Sequence, residues 1–166
     1  MTGRDVTGRD VTADSLSGEW QIRTDGAAKG NPGPAGIGVV LIDPKGRVVE
    51  ELGQGIGWAT NNVAEYQALI EGLKLAKRHG VDRLAVFSDS TLVVEQMKGA
   101  WKVKHQGLKP LFAKARALAK DLGTVRFVAI PRERNRRADE LANLGVDRDN
   151  PGAEAPSPGS GTERLF

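Results

Sequence analysis

The alternation of apolar and polar side chains predicts five strands. Trp20, Ile22 and Thr24 alternate with polar neighbours up to Asp25, which is the period of a strand with one buried face. Apolar-rich runs bounded by Gly, Pro or Asp predict the other four; they span residues 37–42, 48–58, 84–88 and 125–130. The turn sequence DPKG at residues 43–46 joins the second and third strands as a hairpin.

Helical periodicity and end signals predict four helices, at about residues 61–79, 90–99, 108–122 and 135–146. Thr60 or Asn61 can cap the first helix, and Gly80 can close it. The resulting order is β-β-β-α-β-α-α-β-α. It predicts an α/β fold with a mixed five-stranded sheet, in which three antiparallel strands are followed by parallel strands, and with helices on both faces.

The chain's 166 residues fit one domain, and both ends differ from its centre. Residues 1–17 contain a repeated TGRDV and have little to bury, and residues 148–166 are rich in Pro, Gly and Ser. We therefore expect flexible tails around a folded domain at 18–147. The absence of cysteine excludes disulfides and thiolate metal sites. No apolar run is long enough for a membrane span, and we expect a cytoplasmic monomer.

Charge is distributed unevenly along the chain. Residues 98–137 carry 12 of its 24 lysines and arginines but only 2 of its 21 acidic residues. A basic block of this kind favours a polyanionic partner. A well-solvated surface explains the same block, so composition alone leaves both interpretations open.

Four acidic residues occupy positions that predict chemistry. Asp25 and Asp89 each end a predicted strand, while Glu65 and Asp139 lie on predicted helices. Each has an ordinary explanation: a turn aspartate, a helix cap, or compensation of a helix dipole. If the fold brings the four together, their mutual repulsion calls for a divalent cation, and Mg²⁺ prefers such hard oxygen ligands.

Glu65 has the least ordinary position of the four. It shares one helical stripe with Leu69, Leu73 and Ala76, so it heads the apolar face of its helix. Burying an ionised carboxylate without a partner is expensive. Dipole compensation explains its place along the helix but not its place on this face.

Together these segments resemble type 1 ribonuclease H over residues 20–147. The matching motifs are TDGAAKGNPGPAGIG, TNNVAEYQAL, FSDS and NRRADELAN. The stretches SDSTLVVEQ, WKVK and PRERNRRAD are similar to those of the compact bacterial and archaeal branch, which lacks the basic protrusion of other members. The resemblance implies the same mixed five-stranded sheet that the strand order predicts.

The resemblance also implies an activity. Members of this family are endonucleases that hydrolyse the RNA strand of RNA–DNA hybrids and leave 5′-phosphate and 3′-hydroxyl ends. By position, Asp25, Glu65, Asp89 and Asp139 become the catalytic residues and the ligands of two Mg²⁺ ions, with Mn²⁺ as a substitute. One ion activates a water for in-line attack, and the other stabilises the leaving oxygen. Double-stranded RNA stays open as an additional substrate.

Substrate contacts transfer from the family in the same way. Asn31, Asn61 and Asn62 match residues that reach the minor groove near the 2′-hydroxyls that mark an RNA strand. Thr60 matches a pocket for a DNA-strand phosphate, and His105 falls where members often have an asparagine of that pocket. Gly33 and Gly36 are expected to give turn geometry and close backbone approach.

The chain departs from the family before its last aspartate. Many members have a histidine in the loop that precedes this residue, whereas residues 131–134 here read PRER. Arg132 and Glu133 are therefore candidates for an auxiliary role. Two other functions stay open: a non-catalytic module that binds hybrids or duplexes, and a related exonuclease or junction resolvase on the same fold.

Overall fold

The computed structural model of the chain describes residues 2–5, 9–12 and 18–149. Within these residues lie seven strands: β1 Thr2–Asp5, β2 Arg9–Thr12, β3 Trp20–Ala28, β4 Gly33–Ile42, β5 Val48–Ala59, β6 Arg83–Ser88 and β7 Thr124–Ala129. The same residues hold four α-helices: α1 Asn61–Arg78, α2 Thr91–Met97, α3 Lys109–Leu122 and α4 Arg136–Asp149. A short 3-10 helix at Arg132–Arg134 precedes α4.

The main sheet has five strands in the order β5-β4-β3-β6-β7. Strands β3, β4 and β5 pair antiparallel, and β6 and β7 continue the sheet in parallel with β3. The predicted mixed sheet is confirmed. The largest differences from the predicted boundaries are at the end of β3 and the start of β4, because these strands stay paired as far as Ala28 and Ala35. The glycine-rich turn is accordingly shorter than expected and is closed by a 2.8 Å bond from the Lys29 N–H to the Pro34 carbonyl. The last helix also continues to Asp149, beyond its predicted end at residue 146.

Helices cover both faces of the sheet, as predicted. Helix α1 packs with α2 and α3 on the face of β3 and β4 that presents Ile22 and Val39, and buries its Leu69 and Leu73 there. Helix α4 packs on the opposite face of β3, β4 and β5. The Arg137 guanidinium pins α4 to β5 through two 2.8 Å hydrogen bonds to the Glu51 carboxylate. The sheet is thus held between one large apolar cluster and a single helix.

Helix α4 approaches the sheet through glycines. A Cβ atom on Gly38 would lie 2.0 Å from the carbonyl oxygen of Ala138, and one on Gly36 would lie 2.3 Å from that of Ala142. A Cβ on Gly33 would lie 2.0 Å from the Lys29 carbonyl oxygen. Close backbone approach at Gly33 and Gly36 is therefore confirmed, and the contact with α4 is made at backbone distance.

Strands β1 and β2 pair in parallel with each other, outside the main sheet. The rest of the expected N-terminal tail, and the expected C-terminal tail beyond residue 149, lie outside the described residues. The two flexible tails therefore stay predictions, as do the monomeric state and the cytoplasmic location.

Among the helices that the structure describes, none is both long enough and apolar enough to cross a membrane.

Gly38→Ala is expected to destabilise the domain by about 2 kcal/mol or more, because its Cβ meets the backbone of α4 and overpacking of this kind costs about 1–3 kcal/mol. Gly46→Ala is the matched control. Gly46 has φ +84° and no atom within 4 Å of an added Cβ. Its replacement is therefore expected to lower the free energy of unfolding by only about 1 kcal/mol, the cost of a left-handed backbone conformation for alanine. Urea denaturation measures both, and a smaller loss for Gly38→Ala than for the control contradicts the packing argument.

Candidate active site

Asp25 and Asp89 are brought together by the register of two parallel strands. Thr24 of β3 is opposite Ser88 of β6, so the residue that follows each of them lies at the same edge of the sheet. Asp25 is buried, with 5% of its surface exposed, and Asp89 is half-buried. The carboxyl ends of adjacent strands therefore supply two of the four predicted carboxylates.

Glu65 reaches the same edge because α1 lies against β3. A Cβ on Gly26 would be 2.2 Å from the carbonyl carbon of Ala64, so only glycine permits this approach. The Gly26 N–H donates a 3.0 Å hydrogen bond to Oε1 of Glu65. The first turn of α1 contains no acidic residue, which removes helix-dipole compensation as the explanation for Glu65.

Asp139 approaches from the opposite face of the sheet, in the first turn of α4. Its side chain and its charge both help to raise the pKa of Asp25, so the two carboxyl groups are neighbours. The Arg132 guanidinium lies 3.8 Å from Oδ1 of Asp139. The Asn143 amide donates to the Asp139 backbone carbonyl at 2.9 Å and lies 3.4 Å from Oδ1. The fourth predicted acid thus joins the other three.

Three of the four acids border one cleft of about 450 Å³, which is lined by Asp25, Gly26, Ala27, Ala28, Asn61, Glu65, Asp89, Arg132 and Asn143. Asp139 is not among these lining residues. Carboxylate oxygens of Asp25, Glu65 and Asp89 lie within 4.8 Å of one another. Two oxygen ligands on opposite sides of a Mg²⁺ ion are about 4.2 Å apart. The spacing and the all-oxygen donor set therefore fit a hard divalent cation, with Asp139 beside the three.

Burial and mutual repulsion raise the pKa values of two of these acids. Desolvation raises the pKa of Asp25 most, followed by the charges of Glu65 and Asp89. Desolvation also raises the pKa of Glu65, and the Asp89 charge adds to it, whereas the Gly26 N–H and the Arg132 charge oppose the rise. Raised pKa values with specific charged partners, in a cleft, are typical of functional sites.

The predicted substrate residues lie where α1 meets the turn after β3. Oδ1 of Asn31 accepts a 2.9 Å bond from the Asn61 N–H, and Oδ1 of Asn61 accepts a 3.1 Å bond from the Ala28 N–H. Among the described residues neither NH₂ group has a partner, so both are left as donors. Thr60, not Asn61, is the N-cap of α1, and its Oγ1 accepts from the Val63 N–H at 3.2 Å. Asn62 follows, exposed, in the first turn.

The remaining candidates separate in space. Arg132 lines the cleft, whereas Glu133, exposed in the same 3-10 helix, is not among the lining residues. His105 lies in the segment between α2 and α3, where its Nδ1 accepts a 3.0 Å bond from the Gly107 N–H. It also does not line the cleft, and its role in phosphate binding stays a prediction.

Two asparagines at the site were not predicted from the sequence. Asn135 is 1% exposed, and its amide donates a 2.9 Å bond to the Thr24 carbonyl. Asn143 lines the cleft beside Asp139. Their spacing of four residues on either side of Asp139 was the available signal, since such residues share one helical face.

The strand order and the acidic cleft at the carboxyl ends of β3 and β6 define a ribonuclease H-like fold. A protein-family profile described as "Reverse transcriptase-like" matches residues 23–145. The chain is 50% identical over 127 residues to the bifunctional protein Rv2228c of Mycobacterium tuberculosis, covering 76% of this chain and 35% of that protein. It is 44% identical over 123 residues to ribonuclease HI of Halobacterium salinarum, covering 74% of this chain and 62% of the relative. The chain belongs to the ribonuclease H family.

Solved structures agree with this assignment. One of them is the crystal structure of LC11-RNase H1 in complex with an RNA/DNA hybrid. Its sequence is 48% identical to this chain and its fold superposes with a TM-score of 0.75; the match covers 78% of this chain and 98% of that one. The chain spans about a third of the length of Rv2228c and under two thirds of the Halobacterium enzyme.

Asp25→Asn is expected to raise the melting temperature in EDTA at pH 8. The raised pKa means that the folded state holds the Asp25 proton more tightly than the unfolded chain does. The carboxyl group therefore costs stability as pH rises above its unfolded pKa of about 4. We expect a gain of about 5 °C at pH 8 and a much smaller one at pH 4.

Asp121→Asn is the control for this prediction. Asp121 is 56% exposed and pairs with Lys77, so its replacement is expected to give no comparable gain. A melting temperature for Asp25→Asn at or below that of the wild type at pH 8 contradicts the proposed electrostatic cost. Thermal unfolding followed by circular dichroism measures all three proteins.

Proposed function

We propose that the chain is an endonuclease that hydrolyses the RNA strand of RNA–DNA hybrids with two divalent metal ions, Mg²⁺ or alternatively Mn²⁺. The observation that carries the proposal is the convergence of carboxylate oxygens of Asp25, Glu65 and Asp89 within 4.8 Å, with Asp139 close enough to help raise the pKa of Asp25. The complete acidic set argues against a non-catalytic binding module. The products expected from this chemistry are 5′-phosphate and 3′-hydroxyl ends.

The carboxylates have distinct places in the proposed mechanism. When bound, two divalent ions supply an activated water for in-line attack on phosphorus and charge stabilisation for the leaving 3′ oxygen. Asp25 would help to hold the ions, because Glu65, Asp89 and Asp139 are all close enough to raise its pKa. The Gly26 N–H fixes the Glu65 carboxylate. Bound ions also relieve the repulsion that raises the pKa values of Asp25 and Glu65.

The asparagine pair supports recognition of an RNA strand. Asn31 and Asn61 use their side-chain oxygens within the protein and keep their NH₂ groups free among the described residues. These donors suit 2′-hydroxyl and base-edge acceptors in a minor groove. We propose that Asn62 adds to this contact and that Thr60 and His105 bind phosphate on the DNA strand. The complex of LC11-RNase H1 with a hybrid supports the choice of substrate.

The basic block supports a nucleic-acid partner. The half-exposed Trp101 borders a shallow groove whose lining includes Lys102, Lys109 and Arg116. Cations around an aromatic ring suit a phosphate backbone and make binding dependent on salt. The groove does not discriminate a hybrid from double-stranded RNA, so the substrate assay has to include both.

Asp89→Asn is expected to abolish cleavage of a labelled RNA–DNA hybrid while the hybrid still binds, because the change removes a metal ligand but little of the basic surface. The assay compares the wild type, Asp89→Asn and the control Asp121→Asn in Mg²⁺, Mn²⁺ or EDTA. RNA–RNA and DNA–DNA duplexes are tested beside the hybrid as control substrates. Near-wild-type cleavage by Asp89→Asn removes the site assignment. Equal cutting of duplex DNA favours a related nuclease instead.

Arg132→Ala is expected to lower kcat about tenfold. Arg132 is a cation in the lining of the cleft, and a hydrogen bond that involves a charged group contributes about 1.5 kcal/mol. Glu133→Ala is the neighbouring control and is expected to stay within about twofold of wild type, because Glu133 does not line the cleft. Arg132→Lys tests whether charge alone suffices. Single-turnover cleavage separates an effect on chemistry from one on product release, and equal losses for the two alanine variants contradict the assignment to Arg132.

A further inference from the structure

Asn143 lines the acidic cleft but has no part in the mechanism described above. Its amide nitrogen donates a 2.9 Å hydrogen bond to the backbone carbonyl of Asp139 and lies 3.4 Å from the Oδ1 atom of the same residue. A bond to the carbonyl alone is a common local contact in helices. The additional approach to the carboxylate links Asn143 to a group that the proposed reaction needs.

Asn143 is the last of three polar residues spaced by four, Asn135, Asp139 and Asn143, which run from the residue before α4 into the helix. Asn135 precedes the helix, and its amide binds the Thr24 carbonyl, directly before Asp25. The Asp139 N–H in turn donates to the Asn135 carbonyl at 3.1 Å. Asn135 therefore fixes the backbone of α4 against β3, which leaves the Asp139 side chain to be fixed by other contacts.

The Asp139 carboxylate is less constrained than those of Asp25 and Glu65. Asp25 is buried, and Glu65 is held by the Gly26 N–H. The Asp139 side chain is 30% exposed, and its cationic neighbour Arg132 is 79% exposed at 3.8 Å. The Arg132 side chain is long and rotamer-rich. Asn143 has a short side chain, is partly buried, and is anchored on the helix carbonyl, so it is the stiffer of the two contacts.

We propose that Asn143 is a positioning residue that holds the Asp139 carboxylate towards the cleft. It thereby sets the affinity of the metal position that Asp139 shares with Asp25, and leaves the group formed by Asp25, Glu65 and Asp89 unchanged. The inference rests on the proposed function, because that function makes Asp139 a metal ligand. Hydrogen-bond partners of metal ligands typically change metal affinity or activity by about 10–100-fold.

The test uses two variants without an amide donor, Asn143→Leu of similar size and Asn143→Ala of smaller size. Leu144→Ala is the control, since Leu144 adjoins Asn143 on α4 but is 46% exposed. Mn²⁺ binding to the metal-free protein is measured from the paramagnetic resonance signal of the unbound ion. Hybrid cleavage is then measured against Mg²⁺ concentration, and thermal unfolding is followed in EDTA.

Both Asn143 variants are expected to weaken the weaker Mn²⁺-binding step about tenfold and to raise the half-saturating Mg²⁺ concentration by a similar factor. At saturating Mg²⁺ their kcat is expected to recover to within about threefold of wild type. Leu144→Ala is expected to match wild type in both metal measurements.

An unchanged Mn²⁺ titration together with a lower melting temperature overturns the proposal, because the residue is then structural. Weakening by only one of the two Asn143 variants also overturns it, since packing rather than the donor is then responsible. If the wild-type chain fails to cleave the hybrid, the proposed function fails, while the Mn²⁺ titration still decides the role of Asn143.

Discussion

The site depends on the close approach of α1 to β3 at Gly26. A Cβ atom on Gly26 would lie only 2.2 Å from the carbonyl carbon of Ala64, so the helix backbone occupies the space that a side chain would need. Only at that distance does the Gly26 N–H reach the Glu65 carboxylate. Burying carboxylates beside one another is unfavourable, and this backbone bond offsets part of that cost. One residue without a side chain thus brings a helical acid to the end of a central strand.

Helix α4 uses the same device on the other face of the sheet, where Gly36 and Gly38 meet its carbonyl oxygens. Asp25 lies between the two helices, and the parallel register of β3 and β6 adds Asp89. Each acid therefore takes its position from backbone contacts or strand register. Side-chain hydrogen bonds, such as that of Asn143 to Asp139, adjust the positions afterwards.

Local rules were sufficient for most of the fold, whereas the four acids became a predicted site only through the family resemblance, and their catalytic role stays a prediction. Strand periodicity, helix caps and the apolar stripe below Glu65 are encoded by neighbours in sequence, and the structure confirms them. The extension of β3 and β4 to Ala28 and Ala35 was missed, because glycine and alanine show no alternation. Which of Arg132 and Glu133 lines the cleft depends on the orientation of the 3-10 helix, which a polar run does not specify. Asn143 was not singled out, although it lies four residues after Asp139.

The glycine-lined contacts also restrict how this fold can be made more heat-resistant. Filling an internal cavity with a larger side chain commonly stabilises a protein, but at Gly26, Gly36 and Gly38 the helices meet the sheet at backbone distance and leave no cavity to fill. Gains have to be sought at the periphery, for example at the β5 edge, where Val48 is 57% exposed. Substitutions there are separated from the carboxylates by β4, so thermal resistance can be changed without moving the acidic cluster.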